Sequence, residues 1–494
     1  MQIHTFYTLL AVGIWIIVGT LIAVASRKGL GKGLSEYFIA NRKISGFVSA
    51  LTYSATTYSA FMMIGLAGFT YKGGVGALGF ELTYLAGLML VIFFGPRFWL
   101  VGKRFEYVTP AELLGDRYQN KGVAFVAAAL CLIFLIPYSA VQLMGVAYLM
   151  EVLSYGGIPF IVGLLVAIII AIVWAWIAGM RSVAWTDSLQ ALVMIITAIT
   201  ITFFIIYKGF GGFGNFFNKL ELNYSQWLTL PGPGFFSFKA YLGLTLPWFF
   251  FSISNPQVSQ RLFIPKSMHA LKQMCGGFLI FGFVYTVITV LWGFSARLLC
   301  PDLSVADKAS PTLLALPLIP TALALIAMVA IMAAAISTID SIMLSLSSMF
   351  AKDIYQNVKT KAREEKVLWV GKFIIPVIGV TAFFFARARF GLISTLSVAS
   401  SAGLLMMVPT IIGAFLWKRG TAAGAIASMI VGAIITATMY ITKCYPLGHW
   451  PSVWGGITCS VVFVGISLLT RAPREKADEF INYLDKTLLE KNAL

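Results

Sequence analysis

Charge is scarce in this chain. Of 494 residues only 19 are Asp or Glu, and all charged side chains together make up 11%, where a soluble domain carries about 25%. The 59% of apolar residues excludes intrinsic disorder, and the poverty of charge excludes an ordinary soluble enzyme. Histidine is scarcer still: His4, His269 and His449 lie far apart. Cys131, Cys275, Cys300, Cys444 and Cys459 form no CxxC pair, so no zinc or redox site is indicated and the cysteines read as small apolar filler. A Walker loop, an HExxH and a nucleophile with a neighbouring base are all missing, which argues against an enzyme. Gly209, Gly211 and Gly214 satisfy GxGxxG, but they follow an apolar helical run, and no acid stands about 20 residues on to hold a ribose.

What the chain has in abundance is apolar runs of about 20 residues, each long enough to cross roughly 30 Å of hydrocarbon. They predict an all-α polytopic membrane protein with thirteen helices. These fall near 7–26, 46–69, 78–96, 122–150, 158–178, 184–207, 241–255, 273–296, 319–350, 367–386, 391–416, 421–441 and 451–470. The basic flank Arg27-Lys28 follows the first run, and no small-residue cleavage pattern does, so that run is expected to stay as a helix rather than be cleaved as a signal peptide.

A net charge of +17 serves here as a topology signal rather than a mark of nucleic-acid binding. With the N-terminus outside, 27 of the 36 Lys and Arg fall in segments assigned to the inner side. Among them are Arg27, Lys28, Arg42, Arg97, Arg117, Arg261, Lys352, Lys418 and Lys491. Nine fall outside, which predicts an external N-terminus, a cytoplasmic C-terminus and a plasma-membrane location. Phe480, Ile481, Leu484 and Leu488 recur at helical spacing in the tail, as in a short amphipathic helix at the inner surface; a solvated tail is the other reading.

Hydrocarbon penalises unpaired backbone groups and charges, so function is sought where helices are interrupted or carry acids at depth. Four places qualify. The second span carries a run of hydroxyls and small residues, Ser49 to Ala60, followed by Gly65 and Gly68. Unwound, it would aim carbonyls at a small hard cation; otherwise the small residues serve close helix packing. The seventh span has Pro247 and Pro256 near its two ends and polar Ser252, Ser254 and Asn255, which marks a second interruption or a simple proline kink. The ninth stacks Ala334, Ser337, Thr338 and Ser341 on one face, where the hydroxyls could meet a cation or bond their own preceding turn. Asp187, with Glu81 in the third span, is an acid at depth that needs a cation or a proton, unless Asp187 caps a helix start.

The chain resembles the sodium:solute symporter family over residues 5 to 470. The resemblance is carried by Ala-Asn-Arg-Lys before the hydroxyl-rich helix, Gly179 to Gln190, Asn255-Pro-Gln-Val-Ser-Gln-Arg261, Ala334 to Ser341, and Pro409 to Gly424. It implies a leucine-transporter-type fold, five helices and an inverted five. The expected division is 1–45, first helix and inner loop; 46–207, first repeat; and 208–240, outer loop. It continues with 241–417, inverted second repeat; 418–470, two peripheral helices; and 471–494, cytoplasmic tail.

The resemblance also implies a sodium site made by the carbonyls of Ala55, Tyr58 and Ala334 with the hydroxyls of Ser337 and Thr338. Arg42 matches a functionally sensitive arginine, and Asp187 an acid near an ion exit route. Asp187 together with Ser337, Asp340 and Ser341 corresponds to a second sodium site, except that Asp340 replaces a hydroxyl, which leaves a second sodium or a proton open. Thr57 replaces an aspartate of the proline carriers, which weakens any transfer of proline specificity. The solute is expected between the two interruptions, near Thr56, Thr57, Glu81, Gln142, Trp248, Phe249, Ser252 and Asn255.

Together these residues predict sodium-coupled symport of a small organic solute, an amino acid or small organic acid, taken up by alternating access. Sodium is the only ion cofactor implied, and the partners are solute, sodium and bilayer, with no nucleic acid or obligate protein partner. A proton-coupled carrier using Asp187 and Asp340, or a solute-binding membrane sensor, is the alternative. A channel is disfavoured by the lack of a filter motif.

Overall fold

The computed structural model describes residues 3–27, 31–389, 391 and 393–490. Lys28 and Lys491, counted among the inner charges, lie outside them. The described residues are helical throughout and form no strand, with one isolated bridge between Ile44 and Pro265. Helix is the expected solution, because a segment in hydrocarbon must satisfy its own N–H and C=O groups.

Eleven helices are long and apolar enough to cross a membrane, from Thr5–Ala25 to Pro451–Leu469. Each coincides with one of the thirteen expected spans. The two expected spans not among them, near 46–69 and 241–255, are the stretches singled out as interrupted, and both are broken into short pieces. The first runs as a helix Gly46–Thr57, a π-helical stretch Phe61–Leu66 and a helix Ala67–Gly73. The second runs Phe238–Phe249, Phe251–Ser254 and Pro256–Ser259, then a tight turn Gln260–Phe263. Proline explains the second break: Pro247 lies inside its helix and Pro256 starts another, so the ladder cannot run through.

Burial is uneven. The span Thr321–Gln356 is 72% buried in its most apolar window and Thr395–Leu416 83%, whereas Thr5–Ala25 reaches 28%. The two broken helices and Thr321–Met349 therefore sit in the middle, sheathed by the others. Close approach uses small residues: a Cβ on Gly163 would come within 2.8 Å of the Ala147 backbone.

Gly179 (φ 58°, ψ −154°) turns the chain between the spans Phe160–Ile177 and Gly179–Gly209. Asp187 thus lies two turns inside a helix, which removes the helix-cap reading. The tail forms a helix, Arg474–Glu490, that buries Phe480, Ile481, Leu484 and Leu488. Phe480 packs against Phe105 and Phe415, so this amphipathic face meets protein.

Three arginines assigned to inner loops are structural. Arg261 and Arg117 are fully buried and Arg97 is 8% exposed. Arg117 donates to the carbonyls of Ala414 and Trp417. Their charges report packing rather than solvent-facing loops.

Candidate functional site

The first broken helix ends at Tyr58 (φ −97°, ψ 77°), whose N–H still donates to the Ser54 carbonyl. Past the break, the Ala60 N–H donates to Gln142 Oε1 at 3.0 Å and the Phe61 N–H to Ser59 Oγ at 3.2 Å. Side chains thus satisfy the amides that the interruption frees, leaving carbonyls of the preceding turn directed at the helix Thr321–Met349.

Four of the five expected sodium ligands converge there. Ser337 Oγ lies 2.9 Å from the Ala55 carbonyl and 3.0 Å from that of Ala334, and Thr338 Oγ1 lies 3.1 Å from the Ala334 carbonyl. Thr338 Oγ1 also approaches the carbonyls of Ala55 and Thr56, at 3.5 and 3.3 Å. Two hydroxyls and two or three carbonyls in one cluster suit a monovalent cation, which does not demand a carboxylate cage. The Tyr58 carbonyl makes no hydrogen bond into this cluster; the Tyr58 ring stacks on Phe281 at 5.6 Å. The reading in which these hydroxyls only bond their own preceding turn is incomplete, since both also cross to the broken helix.

One turn along, the expected second-site residues are arranged differently. Asp187 Oδ2 accepts from Thr52 Oγ1 at 2.6 Å and from Arg261 Nη2 at 3.0 Å, and both members of this ion pair are buried. The acid's partner is therefore a guanidinium of the chain itself, where the sequence suggested a bound cation or a proton. Ser341 Oγ lies 3.0 Å from Thr56 Oγ1 and accepts from Arg261 Nη2 at 2.5 Å. Asp340 is buried beside them, and its Oδ1 has no partner. Sequence reasoning missed Arg261 and Thr52. A lone arginine closing the polar run Asn255 to Gln260 was the available signal.

Of the expected solute residues, Thr56, Thr57, Glu81, Gln142, Trp248, Ser252 and Asn255 are all buried, and the region is closed to solvent. Trp248 stacks on Phe61 at 4.6 Å and on Phe251 at 5.0 Å, with Tyr84 edge-on at 5.0 Å. Phe249 is half-buried, and its ring pairs with Phe250, outside this cluster. The chain's turn at Phe250 between two short helices puts Phe251, rather than Phe249, against Trp248. Ser252 Oγ donates to the Gly87 carbonyl at 3.3 Å, and Asn255 Oδ1 accepts from Ser254 Oγ at 3.0 Å. Polar atoms left without partners here include both Glu81 oxygens, Thr57 Oγ1, Trp248 Nε1 and Asn255 Nδ2. Arg42 lies apart, donating to the carbonyls of Gly102 and Tyr107 at 2.7 Å each.

Two interrupted helices facing each other across a closed polar core define a secondary transporter as a class. The chain belongs to the sodium:solute symporter family, whose model matches residues 37–432. It is a multi-pass membrane transporter that couples a small solute to sodium, and not an enzyme.

Among curated relatives, the sodium/pantothenate symporter of Haemophilus influenzae is 29% identical over 84% of this chain and 86% of its own length. That of Escherichia coli is 29% identical over 92% and 94%, and the Escherichia coli sodium/proline symporter is 27% identical over 90% and 89%. The fold matches a Na+-coupled sialic acid symporter in its substrate-bound outward-open state, with TM-score 0.79, 20% identity, and 94% and 99% of the two chains covered. A nucleobase-cation-symport-1 family transporter in a closed conformation gives TM-score 0.57 at 13% identity, covering 90% and 98%.

Proposed function

We propose that the chain takes up a small organic solute, an amino acid or small organic acid, with sodium bound by Ala55, Tyr58, Ala334, Ser337 and Thr338. The convergence of the Ala55 and Ala334 carbonyls with the Ser337 and Thr338 hydroxyls at a helix break carries this reading. The solute lies between the two breaks, with Thr56, Thr57, Glu81, Gln142, Trp248, Ser252 and Asn255 around it. The five-plus-five division into residues 46–207 and 241–417 follows, with each half opening on its broken helix.

Sodium joining the first broken helix to Thr321–Met349 favours the arrangement that receives solute, so each ligand raises the affinity for the other. The membrane potential then supplies roughly 2.3 kcal/mol per charge per 100 mV if the charge crosses the whole field. The inner-side excess of Lys and Arg supports an external N-terminus and a cytoplasmic C-terminus, and Arg42 acts at the inner end as a coupling residue.

A proton-coupled variant is favoured by one observation, the unpaired Oδ1 of Asp340. Asp187 is the weaker proton carrier, since Arg261 already neutralises it.

The test is solute accumulation in proteoliposomes driven by an imposed sodium gradient. Accumulation that depends on sodium, and is lost in Ser337→Ala and Thr338→Ala, is expected. Equal accumulation in potassium, or driven by a proton gradient alone, removes the sodium assignment.

A further inference from the structure

Glu81 lies in the helix Gly76–Leu88, fully buried, and neither of its carboxylate oxygens has a hydrogen-bond partner among the described residues. The chain treats its other deep acids differently. Asp187 is given Arg261 and Thr52, and Asp340 stands beside that same arginine. At Glu81 no cationic side chain among the described residues is within hydrogen-bonding distance. A carboxylate held in low dielectric without a counter-ion is strongly unfavourable, so the group either holds a proton or is met by positive charge from outside the chain, and a bound solute can supply the second.

Its surroundings say what kind. The Tyr58, Tyr84 and Tyr138 side chains lie within electrostatic reach of Glu81. The rings of Tyr58 and Tyr84 are 6.4 Å apart, Tyr84 meets Trp248 at 5.0 Å, and Trp248 continues the stack to Phe61. The hydroxyls of Tyr58 and Tyr84 are themselves unpartnered. Aromatic faces around an unpaired carboxylate attract a positive nitrogen twice over, through the ring quadrupoles and through the full charge. A neutral polyol could hydrogen-bond the carboxyl as its protonated acid but would gain no ion pair. A simple carboxylate would add a second like charge.

We propose that Glu81 and the rings of Tyr58 and Tyr84, backed by Trp248, form a receptor for a positively charged nitrogen. The solute is then a zwitterion or small organic cation rather than a bare acid or a sugar. This rests on the reading of the two helix breaks as the solute site, and it narrows that reading to amine-bearing cargo. Glu81 binds the solute and takes no part in the sodium cluster, whose oxygens come from Ala55, Tyr58, Ala334, Ser337 and Thr338.

The experiment is thermal unfolding of the purified full-length protein in NaCl or KCl against matched solutes. The panel holds the twenty common amino acids, glycine betaine, choline, γ-aminobutyrate with butyrate, alanine with propionate and lactate, pantothenate, glucose and inositol. A shift in sodium alone, given by an amine-bearing member and not by its deaminated counterpart, is expected. With Glu81→Gln the same shift should need at least tenfold more solute, and Glu81→Asp should restore part of the loss.

Three results overturn the proposal: a sodium-dependent shift given by pantothenate, a simple acid or a sugar; no shift from any amine; or an unaltered solute response in Glu81→Gln. Should Glu81→Gln fail to purify as a monodisperse species, the matched pairs and Glu81→Asp decide. Stabilisation by sodium without solute reports the ion cluster separately. If it is present while amine selectivity is absent, only the solute class falls; if it is absent, the carrier reading beneath it falls too.

Discussion

Arg261 Nη2 meets Asp187 Oδ2 at 3.0 Å with both side chains buried, and the same guanidinium reaches Ser341 Oγ on the helix that carries Ser337 and Thr338. One cation thereby ties four elements together: the second broken helix, the span after Gly179, the central hydroxyl helix and, through Thr52, the first broken helix. Removing either member of a buried pair strands the other charge. Arg261→Gln or Asp187→Asn alone should lower stability by about 3–5 kcal/mol, and the double variant should recover much of it. Thermal unfolding of the four proteins in detergent checks this, and additive losses in the double variant would refute the coupling.

Ser337→Ala and Thr338→Ala each remove one hydroxyl from the cluster around the Ala55 and Ala334 carbonyls. The sodium concentration giving half-maximal stabilisation should rise at least tenfold, a change of about 1.4 kcal/mol in binding free energy. Titration of the unfolding temperature with NaCl measures it. Curves that overlay the unmodified protein would mean that sodium binds elsewhere.

Asp307 lies between the spans Met268–Leu299 and Thr321–Gln356 and accepts from the Ile393 N–H at 2.8 Å. Burial pushes its carboxyl up to about 7, against the opposing pull of that backbone hydrogen bond and of Lys72. In the unfolded chain an Asp ionises near pH 4, so between about pH 4 and 7 the folded state holds the extra proton. Stability on this account falls as pH rises through that window and is flat above it. Asp307→Asn should flatten the slope, which unfolding temperatures from pH 4.5 to 8 would reveal.

Gly179 has φ 58°, and a side chain there would drive into the Tyr37 backbone. Gly179→Ala should destabilise by about 1–3 kcal/mol, through strain at an unfavoured backbone angle and a displaced neighbour. Unfolding temperature and the yield of monodisperse protein both report it. An unaffected variant would mean that the turn adapts freely.

Most of the scaffold was legible because hydrocarbon writes it in composition. Charge-free runs located eleven unbroken spans, and the hydroxyl run at Ser49 to Ala60 with the prolines at 247 and 256 located both breaks. The Ser337 and Thr338 cluster was legible too, since helical spacing alone puts those hydroxyls on one face. The Arg261–Asp187 pair was not, because 74 positions separate its members and only packing joins them. The burial of Arg117 and Arg261 was hidden for the same reason, since both look like loop charges until their partners are seen. That Phe251 rather than Phe249 packs on Trp248 was not legible either, because a break of unknown register shifts every ring that follows.

The sheath and the centre of this molecule live under different constraints. Thr5–Ala25, Glu364–Arg387 and Pro451–Leu469, each a third or less buried, answer mainly to the thickness and chemistry of the lipid around them. Thr321–Gln356, at 72%, answers to its neighbours on every side. A substitution on the rim therefore has only the bilayer to satisfy, whereas one in the middle must be matched by the side chains packed against it.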